Sequence, residues 1–308
     1  MDISIQTGSI VNQYGVEKGY RMIAEAGFTA VDWNIDVELT GAKLSKATTL
    51  SDLCIFEKPL EEMLKYFEPH LVEIEKNNLR ITQAHAPFPA YIVGRPETLD
   101  YCIGVYKNVI KLCDAVGCKN LVIHGITASP AEPDKTYEDF RQMNFYLYES
   151  LIDTLLETNV TVCLENLFFM LLGKAHEGTC ADPHEAVDYI DTLNAKAGRD
   201  VFGFCLDTGH LNLLGKRFSY YLPILGKRIT ALHIHDNDGL LDRHMAPYTG
   251  LINWKEFIST MRDIGYDHDL NFETFRQTDK NTIGEELLPE FLRHIYAIGD
   301  YFKKSISQ

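Results

Sequence analysis

Short apolar segments of strand length alternate with amphipathic helical stretches from one end of this 308-residue chain to the other, with no linker or low-complexity tract between them. Eight strands are expected, at about 2–8, 29–35, 80–86, 120–125, 160–166, 201–207, 229–236 and 269–274. Helical spacing fills the intervals. Leu99, Cys102, Val105, Val109, Leu112 and Val116 share one face of one stretch, and Phe145, Tyr148, Leu151, Ile152 and Leu155 share a face of another. Gly27 and Gly117 stand where two of these helices should stop. Eight βα units in 308 residues fit a closed barrel. An open doubly wound sheet would usually carry a GxGxxG phosphate loop after its first strand, and the turn here reads TGSIVNQYG. The expectation is an α/β fold, one (β/α)8 TIM barrel domain over residues 1–308.

Composition narrows the function classes. A chain 45% hydrophobic and 24% charged suits a soluble globular protein. Its formal charge of −15 argues against a general nucleic-acid surface, which rests on clustered Lys and Arg. Met1-Asp2-Ile3-Ser4 is not the basic start of a secretory leader, and no apolar run approaches the roughly 18 to 20 residues that span a bilayer. A cytoplasmic location without a membrane partner is expected. The seven cysteines are an odd set, several of them inside apolar patterns, and Cys113 and Cys118 lack a partner pair at zinc-finger spacing. Buried free thiols follow.

In a barrel of this kind, catalytic groups sit at the C-terminal ends of the strands. Those positions read His85, His124, Glu165, Asp207, His233 and Glu273. Any one of them alone is more often structural than chemical. Six at successive strand ends are another matter, because carboxylates converging on one mouth repel unless a divalent cation holds them ionised. Strands five to eight are neighbours, so Glu165, Asp207, His233 and Glu273 can surround one cation with a carboxylate and imidazole set suited to Mn, Co, Fe or Zn. His85 and His124 lie beside Glu165, which could bridge to a second cation. His210, Asp242 and His244 could form a third site. One bound metal is expected, with room for up to three.

The segments HAPF, LEN, DTGH, HIHDND with DRH, and the final ET resemble the xylose isomerase-like barrels, a superfamily that includes sugar epimerases and endonuclease IV. The resemblance covers essentially the whole chain. It implies that Glu165, Asp207, His233 and Glu273 match the single-metal site of the ketose 3-epimerases, with Glu165 and Glu273 as the catalytic acid and base and His210 contacting substrate. His85, His124 and Arg243 are further substrate-binding candidates. All nine ligand positions also match the trinuclear zinc pattern of endonuclease IV. Two departures bear on substrate. The strand-five glutamate is followed by Asn166-Leu167-Phe168-Phe169-Met170 rather than a small Gly-containing segment, giving an apolar wall at 167–170. Arg243 lies in the loop where the epimerases carry a sugar-contacting Arg, but at a different spacing.

The leading expectation is therefore a metal-dependent isomerase or epimerase of a sugar or sugar phosphate. A carbon-bound proton is removed by one glutamate and returned by the other, through an enediolate. The alternative is a zinc phosphodiesterase acting on abasic DNA. The expected partner is a small sugar, and a homo-oligomer is left open. His235 is expected to orient Asp207 or substrate, Trp254 to start a helix and pack as core, and the long connection from Asp36 to Phe56 to cover the substrate.

Overall fold

The computed structural model describes residues 1–308. Ten strands form. In chain order they are β1 (Ile3–Gln6), β2 (Ala30–Asn34), β3 (Arg80–His85), β4 (Asn120–Val122), β5 (Thr161–Glu165), β6 (Phe168–Leu171), β7 (Lys174–Glu177), β8 (Phe202–Asp207), β9 (Ile229–His233) and β10 (Leu270–Phe272). Eight of them make a parallel sheet in the order β10-β1-β2-β3-β4-β5-β8-β9. A bridge between Ile234 and Phe272 joins its two ends. Ile234 N donates to Asn271 O at 2.8 Å and Glu273 N to Ile234 O at 3.1 Å, so the ring closes beside two site residues. The (β/α)8 barrel expected from the alternation is the observed fold, and each barrel strand falls inside its expected segment.

Strands buried on both faces need apolar residues throughout, and β8 (FGFCLD) is buried at all six positions. Most of the core lies between strands and helices. On the helix Glu97–Ala115, Leu99, Cys102, Val105, Val109 and Leu112 are buried as their spacing predicts. Gly117 (φ 75°) follows this helix, and Gly27 (φ 109°) follows Val16–Glu25, in the left-handed region where glycine costs least. The stretch expected to be one helix through residue 155 is divided instead. Tyr137–Glu149 ends at Ser150, and a short helix, Ile152–Leu156, follows.

Inside the barrel, one sector is apolar (Val122, Cys163, Cys205 and Ala231). The other is a polar chain. Ser4 Oγ donates to Asn271 Oδ1 at 3.0 Å. Asn271 Nδ2 and Gln83 Nε2 both donate to Asp32 Oδ2, at 2.8 and 3.0 Å. All seven cysteines are free and buried, Trp254 opens the helix Trp254–Asp263 and is buried, and no helix is long and apolar enough to cross a membrane.

Two connections shape the mouth. β6 and β7 form an antiparallel hairpin across residues 168–177, turning through Leu172 (φ 51°) and Gly173 (φ 76°). The apolar wall expected at 167–170 is thereby broken up. Leu167 is buried, Phe168 packs edge-on against His210, Phe169 stacks on His176, and Met170 is exposed. The connection after β2 is folded as well. It contains a helix, Gly41–Lys46, capped by Thr40, and Arg95 Nη1 ties that helix down by donating to Leu44 O at 2.6 Å and Ala47 O at 2.9 Å.

Candidate active site

The barrel brings together the residues that end its strands. A cavity of about 560 Å³ opens at the C-terminal ends, lined among others by His85, His124, Glu165, His210, His233, Asp242, His244 and Glu273. Asp207 lies fully buried beneath it. There it serves the backbone too: as N-cap of the helix Thr208–Leu213, its side chain accepts from His210 N at 2.7 Å. That cap places His210 over the site. Asn166, next to Glu165, exchanges two 2.8 Å hydrogen bonds with the Asp207 backbone, which locks the ends of β5 and β8 together.

Glu165 is the hub. Its Oε2 lies 2.9 Å from His124 Nε2 and its Oε1 lies 3.3 Å from both His210 Nδ1 and His233 Nδ1. His233 Nδ1 is also 3.6 Å from Glu273 Oε2 and 3.9 Å from Asp207 Oδ2. Burial opposes ionisation of Glu165, but His233 and His124 beside it hold the carboxyl well below the usual range. Glu273 behaves oppositely: burial pushes it up to about 8 against the pull of His233. His85 is driven down to about 3 by burial and by neighbouring His124, so its ring is neutral and free to act as a ligand. The cavity thus holds two buried glutamates with opposed proton affinities, a pattern found where one group gives a proton and another takes it.

The donor set fits a divalent cation. Both ring nitrogens of buried His233 lack a hydrogen-bond partner, although three carboxylates lie within 4 Å of Nδ1. Buried polar atoms are rarely left so, and a cation among imidazole and carboxylate ligands would satisfy them. Asp207, His233 and Glu273 present ligand atoms within 4.8 Å of one another, and so do His85, His124 and Glu165. Of the residues considered for a third site, Asp242 Oδ2 stands 2.7 Å from His244 Nε2 and 3.8 Å from His210 Nε2. Arg243 is not brought in. Its Nε donates to Asp238 Oδ2 at 3.0 Å, and it is absent from the cavity lining.

Several residues here were missed by sequence reasoning. Asp32, fully buried on β2, has Oδ2 at 3.7 Å from His233 Nε2, behind the ligand face of that ring. A charged residue in the apolar run AVDWN was the available signal. His235 was expected only to orient Asp207 or substrate. Its Nε2 does bond the Asp207 carboxylate at 3.0 Å, but its ligand atoms also group with Asp207 and His210, and with His244 and Glu273. Cys205 groups with Glu165 and His233, and nothing in its sequence context marks it. Gln6, Asn12, Gln13 and Asn34 line the opposite rim. Asp236 points away, accepting from Trp254 Nε1 at 2.8 Å.

Comparison with known proteins agrees with this geometry. A family model described as xylose isomerase-like TIM barrel matches residues 20–297. An uncharacterized protein of Sinorhizobium fredii is 26% identical over 277 residues, covering 84% of this chain and 81% of that protein. Inosose isomerase of Bacillus licheniformis is 24% identical over 189 residues, 59% of this chain and 63% of that enzyme. A solved D-tagatose 3-epimerase-like protein superposes with a TM-score of 0.66 at 20% identity, covering 97% of this chain and 99% of that one.

Proposed function

This chain belongs to the xylose isomerase-like TIM barrel family, and on that premise we propose that it is a divalent-metal-dependent epimerase or isomerase acting on a sugar or a related polyhydroxy carbonyl compound. One observation carries the reading. Glu165 and Glu273, from the fifth and eighth barrel strands, flank His233 Nδ1 at 3.3 and 3.6 Å inside a single cavity. Glu165, Asp207, His233 and Glu273 would hold the metal, which when bound supplies a Lewis acid for the substrate's carbonyl and hydroxyl oxygens.

The chain's own residues do the rest. Glutamates on either side of a substrate carbon can take a proton from one face and return one to the other, which inverts that carbon. Return to the neighbouring carbon moves the carbonyl instead. His210, held by Asn166 O at 2.9 Å from its Nδ1, is placed to contact a substrate oxygen. His85 and His124, with Nε2 atoms 2.9 Å apart, face the same space. The amides of Gln6, Asn12, Gln13 and Asn34, which can both donate to and accept from hydroxyl groups, are among the residues of the wall beyond them.

Phosphodiester hydrolysis is a second reading, favoured by one observation: His85, His124 and Glu165 form a ligand group of their own beside the first. Against it, the charged side chains of the cavity wall are all acidic or imidazole, with no Lys or Arg to meet phosphates. The deciding experiment incubates the protein, loaded in turn with Mn, Co and Zn, with a panel of ketoses and inososes in deuterated water. Deuterium at carbon, lost in Glu273→Gln, supports the epimerase. Cleavage of an abasic duplex with no carbon exchange would replace it.

A further inference from the structure

Beneath the catalytic cavity the barrel offers a cation a second set of ligands, of a different chemistry. In the parallel register of β5 and β8, Glu165 stands opposite Cys205. Partners in register share a face of the sheet, so the Cys205 thiol projects into the barrel beside the Glu165 carboxylate. His233, on neighbouring β9, is registered with Asp207, two residues nearer the mouth. Ligand atoms of Glu165, Cys205 and His233 all lie within 4.8 Å of one another. His233 is 1% exposed, and neither of its ring nitrogens has a hydrogen-bond partner.

A second thiol in the same apolar sector shows the contrast. Cys163, two residues before Glu165, has its Sγ 3.3 Å from Thr230 Oγ1 and 3.7 Å from Asn120 Oδ1, ordinary neighbours for a structural cysteine. Cys205 Sγ instead meets a carboxylate and an unsatisfied imidazole. Thiolate, imidazole and carboxylate are all zinc ligands, and the thiolate favours zinc over manganese. One thiolate with one carboxylate also neutralises a dication, which matters where Val122, Cys163 and Ala231 form the surroundings. Burial of Cys205 favours the neutral thiol, so the set selects a cation that bonds sulfur strongly enough to displace its proton to water.

We propose that Glu165, Cys205 and His233 form a second metal seat, selective for a thiophilic dication of the zinc class, beneath the oxygen-rich position of Asp207, His233 and Glu273. His233 belongs to both sets, and Glu165 is also a ligand in the proposed catalytic set, so the two positions are filled one at a time. Zinc in the lower seat withholds both residues from the catalytic ion and inhibits. That consequence rests on the metal site of the proposed function; the seat itself needs no substrate.

The probe is zinc alone. One equivalent is added to the metal-free protein, and its coordination shell is read by X-ray absorption. Wild type should show a sulfur neighbour at about 2.3 Å. Cys205→Ser should lose it and Cys163→Ser should keep it. A shell of nitrogen and oxygen only in wild type, or sulfur that survives Cys205→Ser, overturns the seat. A further measurement needs no variant to fold: zinc is titrated into manganese-loaded wild type, and manganese release is followed by electron paramagnetic resonance. One-for-one release supports the shared ligands, and both ions bound together overturns them. In Cys205→Ser, half-release should need at least about tenfold more zinc, the cost of losing even an outer partner of a metal site. Absence of the sulfur neighbour with carbon exchange intact sinks the seat and leaves the epimerase reading standing. Zinc on sulfur in a protein that exchanges no sugar supports the seat and sinks that reading.

Discussion

The mouth of the barrel has two unlike arcs. Over β3 to β10 the cavity is walled by His85, His124, Glu165, His210, His233, Asp242, His244 and Glu273, each within 4 Å of another of the set. Over β1 and β2 it is walled mainly by the amides Gln6, Asn12, Gln13 and Asn34, which cannot change charge near neutral pH, with one carboxyl, Asp36, that accepts from Asn34 Nδ2 and that burial pushes up to about 6. The difference separates two tasks. Titratable groups that hold each other's charge suit a cation and proton transfer; fixed amides suit the recognition of hydroxyls without competing for the metal.

If that division is right, mutations on the two arcs differ in kind as well as size. The largest effect belongs to Glu273→Gln, which keeps shape but removes a proton carrier: carbon-bound deuterium exchange should fall by about 10³-fold. Thermal stability of the metal-free protein should not drop, since the amide replaces a carboxyl that burial already pushes up to about 8. Undiminished exchange would show that proton transfer runs through another group.

Next comes Asp32→Asn, a change beneath the reactive arc rather than in it. Asp32 faces His233 Nε2, and Gln83 and Asn271 hold it there. A carboxylate behind a ligating imidazole fixes its orientation and basicity, and losing one typically costs about 10- to 100-fold in metal affinity. Manganese titration followed by electron paramagnetic resonance measures this directly. An unchanged affinity would mean that His233 is held by packing alone.

The amide arc should respond differently. Gln6→Ala and Asn34→Ala remove uncharged contacts expected to act equally on bound substrate and transition state, so KM should rise by about tenfold with kcat nearly constant. Metal affinity should not move. A fall in kcat with KM unchanged would place these amides in the chemistry and erase the distinction between the arcs.

The two arcs were also unequally legible in the sequence. Barrel geometry turns position in the chain into position in space, so the order of residues alone marks a His or an acid at a strand end as a site candidate. Glu165, His233 and Glu273 were visible in that way, and so was the fold. Amides such as Asn12 and Gln13 carry no such mark, because loop conformation alone decides which of them faces the cavity. The β6–β7 hairpin was hidden for another reason. Its turn is Leu172-Gly173 rather than Asn-Gly or Asp-Gly, and FFML and KAHE lack the alternation that signals a strand pair.

Arg243 gives the smallest expected effect and the sharpest control. Its place in the loop after the seventh barrel strand suggested a contact with sugar hydroxyls. The same loop supplies Asp238 five residues earlier, which takes the guanidinium at 3.0 Å on a side chain that is 43% exposed. An exposed pair of this kind contributes about 0 to 1 kcal/mol and is weakened by salt. Arg243→Ala should therefore leave KM and kcat within about twofold of wild type, the range expected for loss of a weak surface pair. If KM rose by about ten times or more, the loop would have to swing on binding, release Asp238 and carry the guanidinium over the cavity. Hydroxyl recognition would then belong to both arcs, and the separation of recognition from chemistry would fail.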